Sequence, residues 1–305
     1  MLNIIQIPSI NPLKFYFQSD VMNTATGYPN VVYNSFPSNQ NYRNFDEDFF
    51  HRNLRSWVDK WQYFQPWQQG DKIVLQFFGV GDGAFSAYTF SLIDKNGRTV
   101  KTINTVEGAE VGTGSGIFIR TAVMYLYDVP EGKYMPQICK VQPAFGVGTY
   151  FFPAEPIEVK AYHEDTELIR YKHSENAYDV IWETGIEMWI RVPLAFTKLT
   201  PGSEYNVYND DTYNLTLLSG VKYRDWQLSF GVGSKPISMY LFDKLEEICL
   251  CDTLYIGNKL YTRKEDSKLE PVPIEKSPLL TGNIDLREKI NEMSLTVSFY
   301  PAIVL

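Results

Sequence analysis

The sequence predicts a mainly β protein: an N-terminal β-sandwich domain followed by a second β-rich α+β domain with one short helix. Three observations carry this. Aromatic residues make up 15% of the chain, with 21 Tyr, 19 Phe and 6 Trp, and such rings suit pleated, half-buried surfaces better than exposed helices. The 17 Pro and 20 Gly supply many turns. Between the end of a polar N-terminal stretch and residue 162, about seven short apolar or alternating runs are separated by turn signals, the pattern of a sandwich. At 305 residues the chain is longer than most single cores, so two domains of similar size are expected. The boundaries read as an extended arm over 1–54, the sandwich over 55–165 and the α+β domain over 166–305.

The arm contains LKFYF (13–17) and then a stretch rich in Asn, Ser, Pro and Tyr with poor periodicity. It reads either as a long ordered loop or, preferred because its rings want burial, as a segment that settles on a neighbouring subunit. Phe15, Tyr16, Tyr28, Tyr33, Phe36 and Tyr42 are the candidate interface residues.

The sandwich begins with two strands around the turn Gln68-Gln69-Gly70-Asp71. Residues 73–78 are apolar on both faces apart from Gln76, which marks a central strand. Residues 86–93 set Tyr88, Phe90 and Leu92 against Thr89 and Ser91, a half-buried strand. Asn96-Gly97 is a tight turn into the strand 99–106, and residues 117–129, 134–141 and 156–162 complete the set. The charged stretch 161–176 reads as the boundary. Beyond it, strands are expected at 186–192, 215–218 and 226–230. One helix follows, with Ser234 as N-cap, Pro236 in its first turn and an apolar stripe of Ile237, Leu241, Leu245 and Ile248. Gly257-Asn258 is a hairpin turn, 269–278 a Pro-rich loop, and 295–300 an alternating terminal strand.

Charge and motifs narrow the function. A net charge of -8 with scattered Lys and Arg argues against a nucleic-acid partner, which needs a clustered basic face. No stretch approaches the ~20 apolar residues of a membrane span, and the first residues carry no signal-peptide pattern. Three cysteines, with Cys139 far from Cys249 and Cys251, fit a reducing cytoplasm better than a disulfide framework. Cys249-x-Cys251 lacks the second pair of a zinc site and reads as two buried small hydrophobes. His163 and His173 read as solvated linker residues. His51 follows Asp46-Glu47-Asp48, but without the glycine and final glutamate of a calcium loop. The glycine clusters at 79–83 and 108–116 lack phosphate-loop spacing and open no helix, and 230–234 reads as a strand-to-helix loop. No nucleophile elbow or Cys/His pairing occurs, so neither an enzyme nor a cofactor or metal is expected. Trp57, Trp61, Tyr63, Phe64 and Trp67 could form an exposed sugar-stacking platform, although use in a core or interface is the commoner fate of such rings.

Two stretches carry a resemblance. LRSWVDKWQYFQPWQQGDKIVLQFFG, with Trp61, Trp67, Asp71, Ile73, Leu75, Gln76 and Phe77, followed by a strand and the Asp94-Lys95-Asn96-Gly97 hairpin, resembles the opening of tail-associated structural proteins of Bacteroidetes phages and prophages, of the crAss-like tail or hub type. ETGIEMWIRV and the run from Leu215 to Asp266 are similar to that group's later half, where a strand, a Gly-rich turn, a short helix and a hairpin follow in the same order. The resemblance covers about two thirds of the chain and leaves out the arm. It implies a virion structural protein of the tail (hub, baseplate or ring), a homo-oligomer whose partners are its own copies and neighbouring tail subunits, made in the host bacterial cytoplasm. The alternative is a carbohydrate-binding or receptor-binding module of the tail, with a surface glycan as ligand. An uncharacterised hydrolase is a third reading, one that requires two convergent carboxylates in a cleft.

Overall fold

The computed structural model describes residues 5–15, 19–22, 29–32, 63–80, 87–141, 149–209, 215–231, 234–264, 267, 270–274 and 279–289. The protein is mainly β, with one α-helix among the described residues. In chain order the strands are β1 (Ile5–Gln6), β2 (Ser19–Met22), β3 (Pro29–Val32), β4 (Gln65–Gln68), β5 (Lys72–Val80), β6 (Ala87–Asp94), β7 (Thr99–Asn104), β8 (Val106–Glu110), β9 (Ile117–Tyr125), β10 (Gly132–Val141), β11 (Thr149–Pro153) and β12 (Ile157–Lys160). There follow β13 (Thr166–Lys172), β14 (Met188–Pro193), β15 (Ala195–Asn209), β16 (Leu215–Phe230), β17 (Ile237–Ser238), helix α1 (Met239–Ile248), β18 (Thr253–Ile256), β19 (Lys259–Arg263), β20 (Glu270–Pro273) and β21 (Leu279–Glu288).

Two sheets of the first half face each other, one in the order β1-β5-β9-β8 and one in the order β4-β12-β10-β6-β7 with β11 added on β10. Their inner faces follow the period of two: Ile73, Leu75 and Phe77 of β5 and Ala122 and Met124 of β9 bury against Phe90 and Leu92 of β6, Ile138 of β10 and Val159 of β12. Trp67 on β4 is fully buried in the same core. The expected turn after β4 forms through Asp71 N–H to Gln68 O at 2.9 Å.

The second half is a nine-stranded sheet in the order β14-β13-β18-β19-β21-β16-β15, with β17 and β20 added on β21. Helix α1 buries Leu241, Leu245 and Ile248, with Ile237 of β17 just before it, in one core with Leu228, Phe230, Leu254, Ile284 and Leu286. The helix starts later than expected. Residues 237–238 pair with β21 first, so Ser238 occupies the cap position. Ser234 instead accepts from Gly231 N–H through its hydroxyl, at 3.2 Å.

Two further expectations are corrected. The charged stretch read as a linker contains β13, in which Ile169 and Tyr171 bury one face while Leu168, Arg170 and Lys172 line the other. The strands expected at 215–218 and 226–230 are one strand, β16, paired along its length with β15. The strand expected at 295–300 lies outside the described residues.

Candidate interaction site

The first-half sandwich and the second sheet meet across β5. Its even-numbered residues point away from the sandwich core, and Val74 joins the core of the second half. Gln76, the single polar residue in an apolar run, is fully buried here. Its side chain accepts from Ile181 N–H at 2.7 Å and donates to Ile181 O at 3.1 Å and Thr184 Oγ1 at 3.2 Å. Asp71, at the head of the same strand, takes two hydrogen bonds from Arg191 of β14, at 2.7 and 2.9 Å, and one from Gln68 N–H at 2.8 Å. Both ions are buried, so their desolvation is offset by a two-pronged, fully hydrogen-bonded geometry.

Residues 5–15 form a strap laid into the same junction. Pro8 and Pro12 favour an extended path around a turn closed by Asn11 N–H to Pro8 O at 3.2 Å. Ile5, Leu13 and Phe15 enter the sandwich core, while Ile10 enters the core of the second half. The side-chain amide of Asn11 pairs with the main chain of Gln76 in both directions, Nδ2 to Gln76 O at 2.8 Å and Gln76 N–H to Oδ1 at 2.9 Å. It continues, as a side chain, the edge pairing that β1 makes with Gly79 and Phe78. The Tyr171 hydroxyl donates to Ile10 O at 2.6 Å, and Glu155 N–H donates to Lys14 O at 2.8 Å.

Lys244 of α1 closes the strap from the other side. Its ammonium donates to the main-chain oxygens of Ser9 and Asn11, and to Leu13 O at 3.5 Å. Burial pulls its pKa down to about 7, against the opposing pull of Glu247 and Glu155. One helical turn on, Glu247 accepts from the Ser9 hydroxyl at 2.9 Å.

A second feature is the long two-stranded ribbon of β15 and β16. Among the described residues, β16 pairs with β21 from Arg224 to Phe230. From Tyr223 back to Leu215, its ladder partner among the described residues is β15 alone. Nine residues of paired strand extend about 30 Å. The base of this ribbon is tied down. Arg287 of β21 donates to Asp225 at 2.9 Å and to Glu204 at 3.0 Å, and its guanidinium lies 3.7 Å from the Tyr223 ring centroid. Trp226 Nε1 donates to Glu288 at 2.8 Å, and Lys259 covers the Trp226 ring at 5.6 Å. On the opposite half of the molecule, Tyr125 and Tyr127 expose a ring pair with centroids 6.3 Å apart, and Lys101 sits over Tyr127 at 5.0 Å.

Phe15, expected at an interface between subunits, is buried in the core of its own chain. Its ring faces the sandwich because the Phe15–Ala154 bridge holds the strap against the end of β11. Tyr16, Tyr28, Tyr33, Phe36 and Tyr42 lie outside the described residues, as do His51, Trp57 and Trp61. Trp67 and Tyr63 are buried, so neither belongs to an exposed stacking platform. His163 is not a solvated linker residue. It is buried with Nε2 3.1 Å from Glu158 O, and burial lowers its pKa. His173 is half-buried, 3.9 Å from Asp252. Cys249 and Cys251 are buried, and burial pushes both thiols up to about 12.

Among the described residues, no three His, Cys, Asp or Glu side chains gather as a metal site, and no helix is long and apolar enough to cross a membrane. Sequence reasoning missed Lys244 and Arg191. The first was legible, because Lys244 stands three residues after Leu241 and seven after Ile237, on the apolar stripe. Arg191 carried no such signal, since it alternates with Ile190 and Val192 as a solvent-facing residue would. Comparison with known protein families, with curated proteins and with solved structures finds no match to this chain.

Proposed function

We propose that this chain is a structural subunit of a phage virion tail, a hub, baseplate or ring component that works by assembling with copies of itself and with neighbouring tail subunits, and that performs no catalysis. The ribbon carries the assembly reading. A two-stranded hairpin is marginal in water by itself, and a strand that outruns its sheet offers unpaired main-chain groups to another chain. β15 and β16 are paired through Asn209 and Leu215, well beyond the last rung with β21 among the described residues. The sequence of that part is rich in apolar and aromatic residues, with Tyr205, Val207, Tyr208, Leu215, Leu217, Leu218 and Val221. The firm ionic and aromatic footing around Arg287 and Trp226 suits a projection that must keep one direction. The exposed Tyr125–Tyr127 pair adds an apolar contact surface elsewhere on the molecule.

The tail assignment rests on the resemblance of residues 54–79 and of the run from 215 to 266. Two of the residues quoted for it, Asp71 and Gln76, are buried at the junction of the two halves and have structural partners. Mass spectrometry and cryo-electron microscopy of virions purified from the host that makes this chain test the proposal. The chain is expected as a stoichiometric tail component in a ring of repeated copies. Its absence from virions, with abundant chain left free in the lysate, would overturn the assignment.

A further inference from the structure

The groove that holds residues 5–15 is one the fold cannot leave empty. The main-chain oxygens of Ser9, Asn11 and Leu13 receive the buried Lys244 ammonium, and the Ile10 oxygen receives the Tyr171 hydroxyl. Asn11 covers the main chain of Gln76. Without the strap, the junction would keep a buried cation stripped of these acceptors and would lose Ile10, Leu13 and Phe15 from two cores. The strap is recognised through the main-chain oxygens of Ser9, Ile10, Asn11, Leu13 and Lys14 and through the side chains of Ser9 and Asn11, and residues 5–15 of a second copy present the same groups. The strap is joined to β4 through residues 16–62, of which 19–32 are taken up by the β2–β3 hairpin, and the remainder can span up to roughly 110 Å when extended. A strap from an adjacent copy can therefore reach the groove and make the same contacts as the chain's own. Exchange of an identical element costs little in contact energy, and a high local concentration favours it.

We infer that the groove between the two halves is a donor-strap site, filled by the chain's own residues 5–15 when it is alone and by residues 5–15 of a second copy when it is assembled. This rests on the assembly reading above and deepens it by naming the segment exchanged. The contact between Ser9 and Glu247 provides the test, because Ser9 is exposed and the native cysteines are buried. Two full-length variants, Ser9→Cys and Glu247→Cys, are co-expressed, and the assembled fraction is treated with a short bismaleimide. The double variant and the wild type are run beside them as controls. Exchange predicts a denaturation-resistant band at twice the 35.2 kDa chain mass in the co-expressed pair, absent from the wild type. If the pair assembles without that band while the double variant links within single chains, exchange is overturned and assembly survives. If no assembled fraction forms, the assembly reading fails and the inference fails with it.

Discussion

Arg191 and Asp71 lie side by side at the junction of the two halves, with Arg191 Nε and Nη2 donating to the two oxygens of Asp71 at 2.7 and 2.9 Å in a buried environment. The pair ties β14 to the start of β5, the strand that serves both cores. Its partners lie 120 residues apart in sequence, so the contact forms only when both halves are in place.

Arg191→Met should leave a buried carboxylate without its partner and destabilise the protein by about 3–5 kcal/mol. The double variant Asp71→Leu with Arg191→Met should regain most of that loss, because two apolar residues of similar size remove the stranded charge. Urea unfolding of the three proteins checks this. Equal losses in single and double variants would mean that the packing of the junction matters and the ion pair does not.

Lys244 gives the fold a pH dependence of definite sign. Its pKa lies at about 7 in the fold, against a usual value of 10.5. Between pH 7 and 9 the unfolded chain therefore holds a proton that the folded chain releases, and stability rises with pH by at most about 1.4 kcal/mol per unit. Above pH 9 the buried thiols of Cys249 and Cys251, pushed from 9.0 up to about 12, act in the opposite direction, because the unfolded chain loses protons that the folded one keeps. The groups facing Lys244 are Glu247, Glu155 and Lys14. Lys244→Met should flatten the rise between pH 7 and 9 in denaturant titrations and leave the fall above 9 in place.

Gly231 has a φ of +82°, and a Cβ there would fall inside the van der Waals shell of Thr281 Cγ2. Gly231→Ala combines left-handed backbone strain with overpacking and should cost about 2–4 kcal/mol. Adding Thr281→Ser, which removes the methyl, should recover part of the loss. The midpoints of thermal unfolding decide it.

Parts of this architecture were legible because local pattern and tertiary role agree. The run 73–78, apolar apart from Gln76, is buried on both faces, and Leu241, Leu245 and Ile248 of the expected stripe are the face that α1 buries, while Ile237 is buried from β17. Gly257-Asn258 joins β18 to β19 as a hairpin. Other parts were hidden for physical reasons. β21 follows a Pro-rich run and carries Gly282 and Asn283, residue types typical of turns, yet Gly282 is the residue opposite Phe230 and Pro271 in adjacent strands. The alternation of Ile169 and Tyr171 in β13 is masked by the charges of its outer face. Along β15, Pro201-Gly202 and two register shifts break the period that would have marked a long strand. The strap was the least legible of all. Its residues bury by filling a junction between two distant segments, and nothing in its own spacing encodes that junction.

The ribbon offers the most direct test of the central claim that this chain works by being covered by other subunits. Residues 204–221 can be replaced by Asn-Gly, joining Ser203 to its ladder partner Lys222 through a two-residue turn. Light scattering after size exclusion, on the intact and shortened chains at matched concentrations, should find the intact chain as a discrete oligomer. The shortened chain should be a monomer with an unchanged unfolding midpoint. An intact chain that stays at 35.2 kDa at every concentration, or a shortened chain that assembles as well as the intact one, would contradict the account.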